Sequence, residues 1–337
     1  MPEARSDSND NVMAVEAEPP KQSQDVWFSD GNIVLQAQNV QFKVHKSVLA
    51  KHSSVFADLF EMPHTNGDEE TADGCPIVQL HDSADDIKHM TLTLYGDKAY
   101  NNVSGGLPMP VVAAMVRMGR KYDIEHIKLE GLSRLNKFLP ESLDDWDRTE
   151  AALAPWEDAV FPSHTITLDS ESDQAILDIA AEAMKLAYEC QIETILPACY
   201  FIVCRDYSMY MPNSPEISAG AAIRGLEGRR QLSRTRCHLV YGWIEAVGEY
   251  SDCLHPAECL TSGRLLMSRI WRCPSLLDIF DQWAKVATKY DDLVQTLCSN
   301  CASQAEISHN AGRIMLWENL PEFFGLGSWD YLRGIES

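Results

Sequence analysis

The sequence predicts an α+β protein with a mainly helical second half. Strand-like runs come first, at residues 33–36, 41–44 and 77–80, and helical patterns follow them. Strands followed by helices are typical of a small sheet with helices packed on one side. From residue 172 onward, apolar side chains recur at spacings of three and four, which is the period of an amphipathic helix.

The composition of the 337 residues indicates an intracellular protein, cytoplasmic or nuclear. No apolar run approaches the roughly 18 residues of a membrane span. Residues 1–24 are polar, carry no targeting pattern and predict a disordered tail. Without a secretory signal, the 10 cysteines are expected to be reduced or to bind metal. The net charge of -22 repels phosphates, so neither a membrane nor a nucleic-acid partner is expected.

The first half begins with a hairpin and two short helices. Residues 38–39 separate the first two strands by a length that suits a tight turn. The stretch FKVHKSVLAKHSSVFADLF, residues 42–60, then changes from alternation to helical spacing, with a break near Ser53. Its apolar stripe, predicted to face a core or a dimer partner, contains Val48, Leu49, Val55, Phe56, Leu59 and Phe60.

Further helices complete the first half. Ser83, three residues before Asp86, forms a weak capping box for the helix after the third strand. Pro110 is suited to the first turn of the next helix, and Asp123 precedes the last one.

Several motifs in this order resemble a BTB/POZ domain of the large fungal, mushroom-type family. They are DGNIVL, FKVHKSVLAKHSSVF, GCPIVQLHDSADDI and RKYDIEHI, and the resemblance covers residues 25–145. It implies a protein-binding module that forms a homodimer.

The resemblance also implies an interaction groove formed by Asp30, His45 and Lys46. His45 and Lys46 stand at a predicted helix start, where the macrodipole disfavours cations and favours anions. A carboxylate from Asp30 would compensate for them. The alternative is an ordinary solvated junction between a strand and a helix.

Residues 146–170 predict a linker, because they are rich in proline and acidic residues and lack a clear period. Residues 171–337 then form the mainly helical C-terminal domain. Within it, residues 224–236 gather five arginines, which predict either a basic binding face or a helix whose arginines pair with the surplus carboxylates.

Four cysteines in the C-terminal domain predict a structural zinc ion. SDCLHPAEC gives one pair in a polar loop, and LCSNC gives a second pair at the end of a helical run. Two thiolates from each of two short segments assemble a closed tetrahedral site. The ligands are Cys253, Cys259, Cys298 and Cys301. Substitute ligands are His255, Cys273 and His309, and the alternative is a set of unconnected reduced cysteines.

The sequence lacks the phosphate-loop, dinucleotide-binding, HExxH and GxSxG motifs, so it predicts no enzyme. Three functions are compared. The first is a self-associating interaction module that presents its C-terminal half to an unknown protein client. The second is an adaptor for a cullin-type ubiquitin ligase, which the family resemblance implies. The third, from another class, is a thiol- or metal-dependent enzyme.

Overall fold

The computed structural model describes residues 19–62, 70–96, 107–149, 170–205, 217–272 and 279–336. A small sheet with helices forms the first half, and the second half is mainly helical, so the predicted fold class is confirmed. Within the described residues, no helix combines the length and the apolar character needed to cross a membrane.

The sheet contains β1 (Lys21–Trp27), β2 (Ile33–Ala37), β3 (Val40–Val44), β4 (Thr71–Ala72) and β5 (Cys75–Leu80). The strand order is β1-β3-β2-β5-β4. Strands β2 and β3 form the predicted antiparallel hairpin, and Gln38 takes a positive φ of 51° in its turn. Strand β5 runs parallel to β2, and β4 runs antiparallel to β5.

The sequence pattern does not predict β1, whose first four residues lie in the segment predicted as a disordered tail. This edge strand runs parallel to β3, with Lys21 opposite Val40 and Trp27 opposite Lys43. Val26 is its one fully buried residue, so the strand lacks the apolar alternation that identifies strands from sequence. Backbone pairing therefore holds β1, and the ordered part of the chain extends further toward the N-terminus than predicted. Residues 1–18 lie outside the described part of the chain.

The helices of the first half are α1 (Lys46–His52), α2 (Ser54–Glu61), α3 (Ala84–Leu94), α4 (Met109–Lys121) and α5 (Glu125–Phe138). Ser53 separates α1 from α2, as the spacing predicts. Its hydroxyl accepts the Phe56 N–H at 3.0 Å, which caps α2, and donates to the Tyr122 carbonyl after α4. One serine thus ends α1, begins α2 and attaches both to the turn between α4 and α5.

The apolar stripe predicted over α1 and α2 divides between core and surface. Leu49 and Phe56 are fully buried, whereas Val55 is 40% exposed. The half-buried members are Val48, Leu59 and Phe60. The stripe therefore forms part of the core, and its role in a dimer stays a prediction.

The helices of the second half are α6 (Ser170–Cys190), α7 (Leu196–Arg205), α8 (Ala219–Leu239), α9 (Trp243–Ala246), α10 (Pro256–Arg272), α11 (Trp283–Lys289), α12 (Asp291–Val294), α13 (Ser299–Glu318), α14 (Leu320–Phe323) and α15 (Trp329–Glu336). Their buried side chains join those of the first half in one hydrophobic core.

The segment after α5 enters the core of the second half. Residues 143–149 are helical, and Trp146 packs against the rings of Phe201, Phe280 and Trp317. The predicted linker, residues 146–170, therefore begins within the folded core. Its residues 150–169 lie outside the described part of the chain.

Helix α13 crosses α8 at very short range. A Cβ added to Gly312 would lie 1.8 Å from the carbonyl oxygen of Leu239 and 3.1 Å from Cα of Val240. Both are backbone atoms, so they cannot turn aside as a flexible side chain could. The absence of a side chain at Gly312 is what permits this crossing.

We expect Gly312→Ala to destabilise the protein by about 1–3 kcal/mol, which is the usual effect of overpacking. The melting temperature, followed by far-ultraviolet circular dichroism, should fall by several degrees. Gly220→Ala on α8 is the matched control, because no atom lies within 4 Å of the added Cβ. That control should melt at or above the temperature of the parent, since alanine favours helices. Equal melting temperatures for the two variants would contradict the close crossing.

Candidate functional site

His45 lies at the junction where β3 ends and α1 begins. Its Nε2 is 3.2 Å from Oδ1 of Asp30, so the structure brings together the imidazole and the carboxylate that the resemblance implies. The Asp30 side chain is 82% exposed. Its pKa is lowered, first by a hydrogen bond from its own backbone N–H and then by one from His45. The junction therefore presents an ionised carboxylate to solvent.

Tyr95, which the sequence analysis does not identify, fixes the ring of His45. The Tyr95 hydroxyl lies 2.9 Å from the backbone nitrogen of His45 and 2.9 Å from its Nδ1. The Asp30 carboxylate can only accept, so Nε2 carries a proton and donates it to Oδ1. In a ring with one proton Nδ1 is then an acceptor, and the Tyr95 hydroxyl, whose oxygen accepts the backbone N–H of His45, donates to it. Phe28 stacks on Tyr95 with ring centroids 4.3 Å apart and covers this chain of hydrogen bonds.

The start of α1 is capped by Asn32 and not by Asp30. Oδ1 of Asn32 accepts the Lys46 N–H at 2.8 Å, and the first turn of α1 contains no acidic residue. Nζ of Lys46 lies 5.7 Å from the ring centroid of Phe60, which favours a cation–π interaction. The Asp30 carboxylate thus contacts His45, while Asn32 accepts the backbone N–H of Lys46 and Phe60 contacts its ammonium group.

A second surface of the first half carries exposed aliphatic side chains. His52 at the end of α1 and His126 in α5 have ring centroids 4.9 Å apart. Val55 follows His52 by three residues, and Leu129 follows His126 by nearly one helical turn. Val55 is 40% exposed, Leu129 53% and Met62, just after α2, 60%. We call Val55, Met62 and Leu129 the apolar surface.

The four cysteines predicted as zinc ligands converge in the structure. Their sulfur atoms all lie within 4.8 Å of one another, and no other such group with three or more ligands occurs among the described residues. Sγ of Cys253 is 3.8 Å from Sγ of Cys298 and 3.4 Å from Sγ of Cys301. A tetrahedral centre with bonds of about 2.3 Å requires sulfurs about 3.8 Å apart, so the arrangement fits one ion. We call these residues the cysteine cluster.

Three segments supply the cysteine cluster. Cys253 lies in the loop before α10, Cys259 lies in the first turn of α10, and Cys298 and Cys301 lie at the start of α13. The CxxC pair therefore begins a helix, where the sequence analysis predicts the end of one. Asn300 reinforces the assembly, because its Nδ2 donates to the Asp252 carbonyl at 2.7 Å.

Backbone N–H groups donate to three of the sulfurs. Cys298 receives the N–H groups of Cys301 and Leu254, and these lower its pKa to about 6. Cys259 receives the Cys298 N–H at 3.3 Å, and Cys301 receives the N–H of Gly248. Burial raises the pKa of both Cys259 and Cys301.

N–H donors aimed at sulfur favour thiolates, whereas burial opposes ionisation of neighbouring thiols. A bound cation would satisfy both conditions, so the donor set fits a metal ion.

The two substitute ligands that lie within the described residues, His255 and His309, do not join the cysteine cluster. His309 is fully buried, with Nε2 2.9 Å from the Asp281 carbonyl and Nδ1 3.3 Å from the Val240 carbonyl. Burial lowers its pKa. His255 contributes its carbonyl to the first turn of α10, where the Cys259 N–H donates to it at 2.9 Å. Cys273 lies outside the described residues.

The arginine-rich segment lies on α8, and several of its side chains have partners within the fold. Arg224 donates to the carbonyls of Phe324 and Gly325, and Arg230 pairs with Glu227. The guanidinium of Arg236 is buried. These contacts favour the interpretation of a helix with paired arginines over that of a basic binding face.

A scan against protein-family models matches residues 22–137 to the BTB/POZ domain. The matched segment extends from β1 to the last turn of α5 and includes Asp30, His45 and Lys46. Searches of curated proteins and of solved structures gave no match. The first half is therefore a BTB/POZ domain, which is in general a protein–protein interaction module or adaptor.

We expect Tyr95→Phe to leave Nδ1 of His45 without a donor, because the phenol proton no longer reaches it, while Nε2 still donates to Asp30. Nitrogen NMR should find the His45 proton on Nε2 in both proteins, and the Nδ1 resonance of the variant should move toward that of an unbonded imidazole nitrogen. Tyr331→Phe is the control, since Tyr331 is 60% exposed on α15. An unchanged Nδ1 resonance in Tyr95→Phe would contradict the hydrogen-bond assignment.

Proposed function

We propose that this protein is a self-associating interaction module. Its BTB/POZ domain joins two copies, and its helical half presents a surface to a protein client. The match of residues 22–137 to the BTB/POZ domain is the observation that carries the proposal. The single core shared by the two halves supports it further, because the helical half would then be held rigidly on the module that dimerises.

The apolar surface supports self-association. Exposed apolar side chains scattered singly are ordinary. Val55 and Leu129, however, each follow one member of the contacting histidine pair by three residues, and Met62 is exposed just after α2. A second copy meeting this surface about a twofold axis would bury the same residues on both sides. A stable interface needs at least about 1,000 Å² of total buried area. The half-buried side chains of Val48, Leu59 and Phe60 are the nearest apolar area that could extend it.

The hydrogen-bonded junction of Asp30, His45 and Lys46 supports an interaction groove in the BTB/POZ domain. Asp30 offers an exposed carboxylate, and the ring of His45 is held in one orientation by Tyr95. A preorganised polar group loses little side-chain entropy when it binds, which favours recognition of a partner. A segment of the second copy with N–H donors or a basic side chain would suit this carboxylate.

We expect Val55→Glu combined with Leu129→Glu to convert a dimer into a monomer in light scattering of the full chain. The two carboxylates would lose their hydration at the interface without gaining partners. Leu265→Glu on α10 is the matched control, because Leu265 is 51% exposed but lies in the helical half. A monomeric parent protein at high micromolar concentration would reject self-association, and dissociation of the control would reject this surface.

We also propose that the cysteine cluster binds one structural zinc ion. Four sulfurs that all lie within 4.8 Å of one another and N–H donors to three of them support this assignment. Four thiolates close the coordination sphere, so the ion would fasten the loop around Cys253 to α10 and α13. Zinc would then stabilise the helical half, since metal binding and folding are coupled.

Metal analysis of the full chain is expected to find one zinc ion per molecule. Cys301→Ser should lose the ion and lower the melting temperature. Cys237→Ser, at a partly exposed cysteine of α8, should keep the zinc ion and the melting temperature of the parent. Removal of zinc from the parent with a chelator should reproduce the lower melting temperature. A zinc content well below one per chain in zinc-supplemented medium would reject the site.

The cullin partner, the fungal family and the cellular compartment remain predictions from the sequence. An enzyme of the thiol class would need a histidine beside a reactive cysteine, and the ring nitrogens of His309 instead face the carbonyls of Val240 and Asp281. The interaction module is therefore the function that the described residues support best.

A further inference from the structure

Cys253 differs from the other members of the cysteine cluster in its exposure and in the segment that carries it. Cys259 and Cys301 are fully buried and Cys298 is 7% exposed, whereas Cys253 is half-buried. Cys253 also lies in an irregular loop, while the other three lie at helix starts. Cys253 is therefore the residue of the cluster that solvent reaches most readily.

The neighbours of Cys253 are placed to complete a reaction at its sulfur. Sγ of Cys301 lies 3.4 Å away and Sγ of Cys298 lies 3.8 Å away. A disulfide bond is about 2.05 Å long, so the pair with Cys301 needs the smaller movement. Cys298 is less free to move, because two backbone N–H groups hold its sulfur.

We propose that Cys253 is a redox modification site through which a hydroperoxide releases the zinc ion. This inference rests on the proposed zinc site. The Cys253 thiolate attacks one oxygen of hydrogen peroxide, the O–O bond breaks, and a sulfenic acid and hydroxide form. The Cys301 thiolate then attacks the Cys253 sulfur, expels a second hydroxide and forms the disulfide. Two thiolates are oxidised by two electrons, and one peroxide is reduced to two hydroxide ions.

The loss of two ligands explains why the zinc ion would leave. Cys259 and Cys298 alone cannot complete a tetrahedral site of four thiolates. The loop of Cys253 would stay attached to α13 through the new disulfide, while α10 would lose its link through Cys259. Peroxide would thus loosen α10 without detaching the loop.

The experiment treats the zinc-loaded full chain with hydrogen peroxide. A colorimetric chelator measures zinc release, and non-reducing peptide mapping identifies the disulfide. We expect the ion to be released in step with formation of a Cys253–Cys301 disulfide. The mass of the denatured product should be lower by two hydrogens than that of the fully reduced chain. A thiol reductant followed by zinc should restore the starting protein.

Two variants separate this chemistry from unfolding. Cys253→His keeps a zinc ligand of a standard type but removes the nucleophile, so the ion should stay bound and its release by peroxide should slow by about tenfold or more. Cys237→Ser should release zinc at the parent rate. If Cys253→His does not retain zinc, the order of alkylation of the zinc-loaded parent decides instead, and Cys253 should be the first cluster cysteine labelled.

Three results would overturn the inference. They are a disulfide that excludes Cys253, oxidation of Cys237 while zinc stays bound, and first labelling at another cluster cysteine. The zinc proposal is judged separately by the metal content before peroxide is added. If that content is negligible, the disulfide map of the metal-free protein still decides whether Cys253 is the site of oxidation.

Discussion

The hydrogen bonds of the buried Arg313 guanidinium are the interactions on which the joining of the two halves depends. Arg313 donates through Nε and Nη2 to the Phe280 carbonyl and through Nη2 to the carboxylate of Asp147. A buried charge destabilises a fold unless its donors are satisfied, so these partners must stay in place together. Asp147 belongs to the segment after the BTB/POZ domain, and Phe280 belongs to the segment before α11. One side chain of α13 therefore holds both segments to the helical half.

The remaining contacts of α13 extend this arrangement along its length. One turn before Arg313, His309 contacts the Asp281 carbonyl, and one turn after it the Trp317 indole donates to the Glu141 carbonyl at 3.1 Å. Cys301 contributes to the cysteine cluster at the other end of the helix. The single helix thus links the segment that follows the BTB/POZ domain, the Phe280 segment and the cysteine cluster. The short interhelical distance at Gly312 adds α8 to these contacts, because it brings the end of α8 directly against α13.

How much could be predicted from sequence depended on how local each signal was. The cysteine pairs stood out because their spacing and polar surroundings can be read within a few residues, and coordination chemistry supplied the reason to combine them. Tyr95 was missed because it acts on His45 across 50 positions of the chain, and no periodicity reports such a contact. Asn32 was also missed, because its side chain caps a helix that begins 14 residues further along the chain. Strand β1 was missed because pairing of its backbone leaves almost no trace in side-chain pattern.

Strand β1 also determines how the sheet can meet other molecules. Strand β1 pairs with one edge of β3, whose Phe42 and Val44 are buried. The first five residues of β1 itself are polar, KQSQD. Exposed edges of apolar strands recruit strands from other chains and begin aggregation, whereas polar and charged edge strands resist it. A chain that begins at residue 25 would lack the first four residues of β1. The edge of β3 would then be open to pairing with strands of other chains. The seven residues of β1 thus protect the edge of β3 from pairing with strands of other chains.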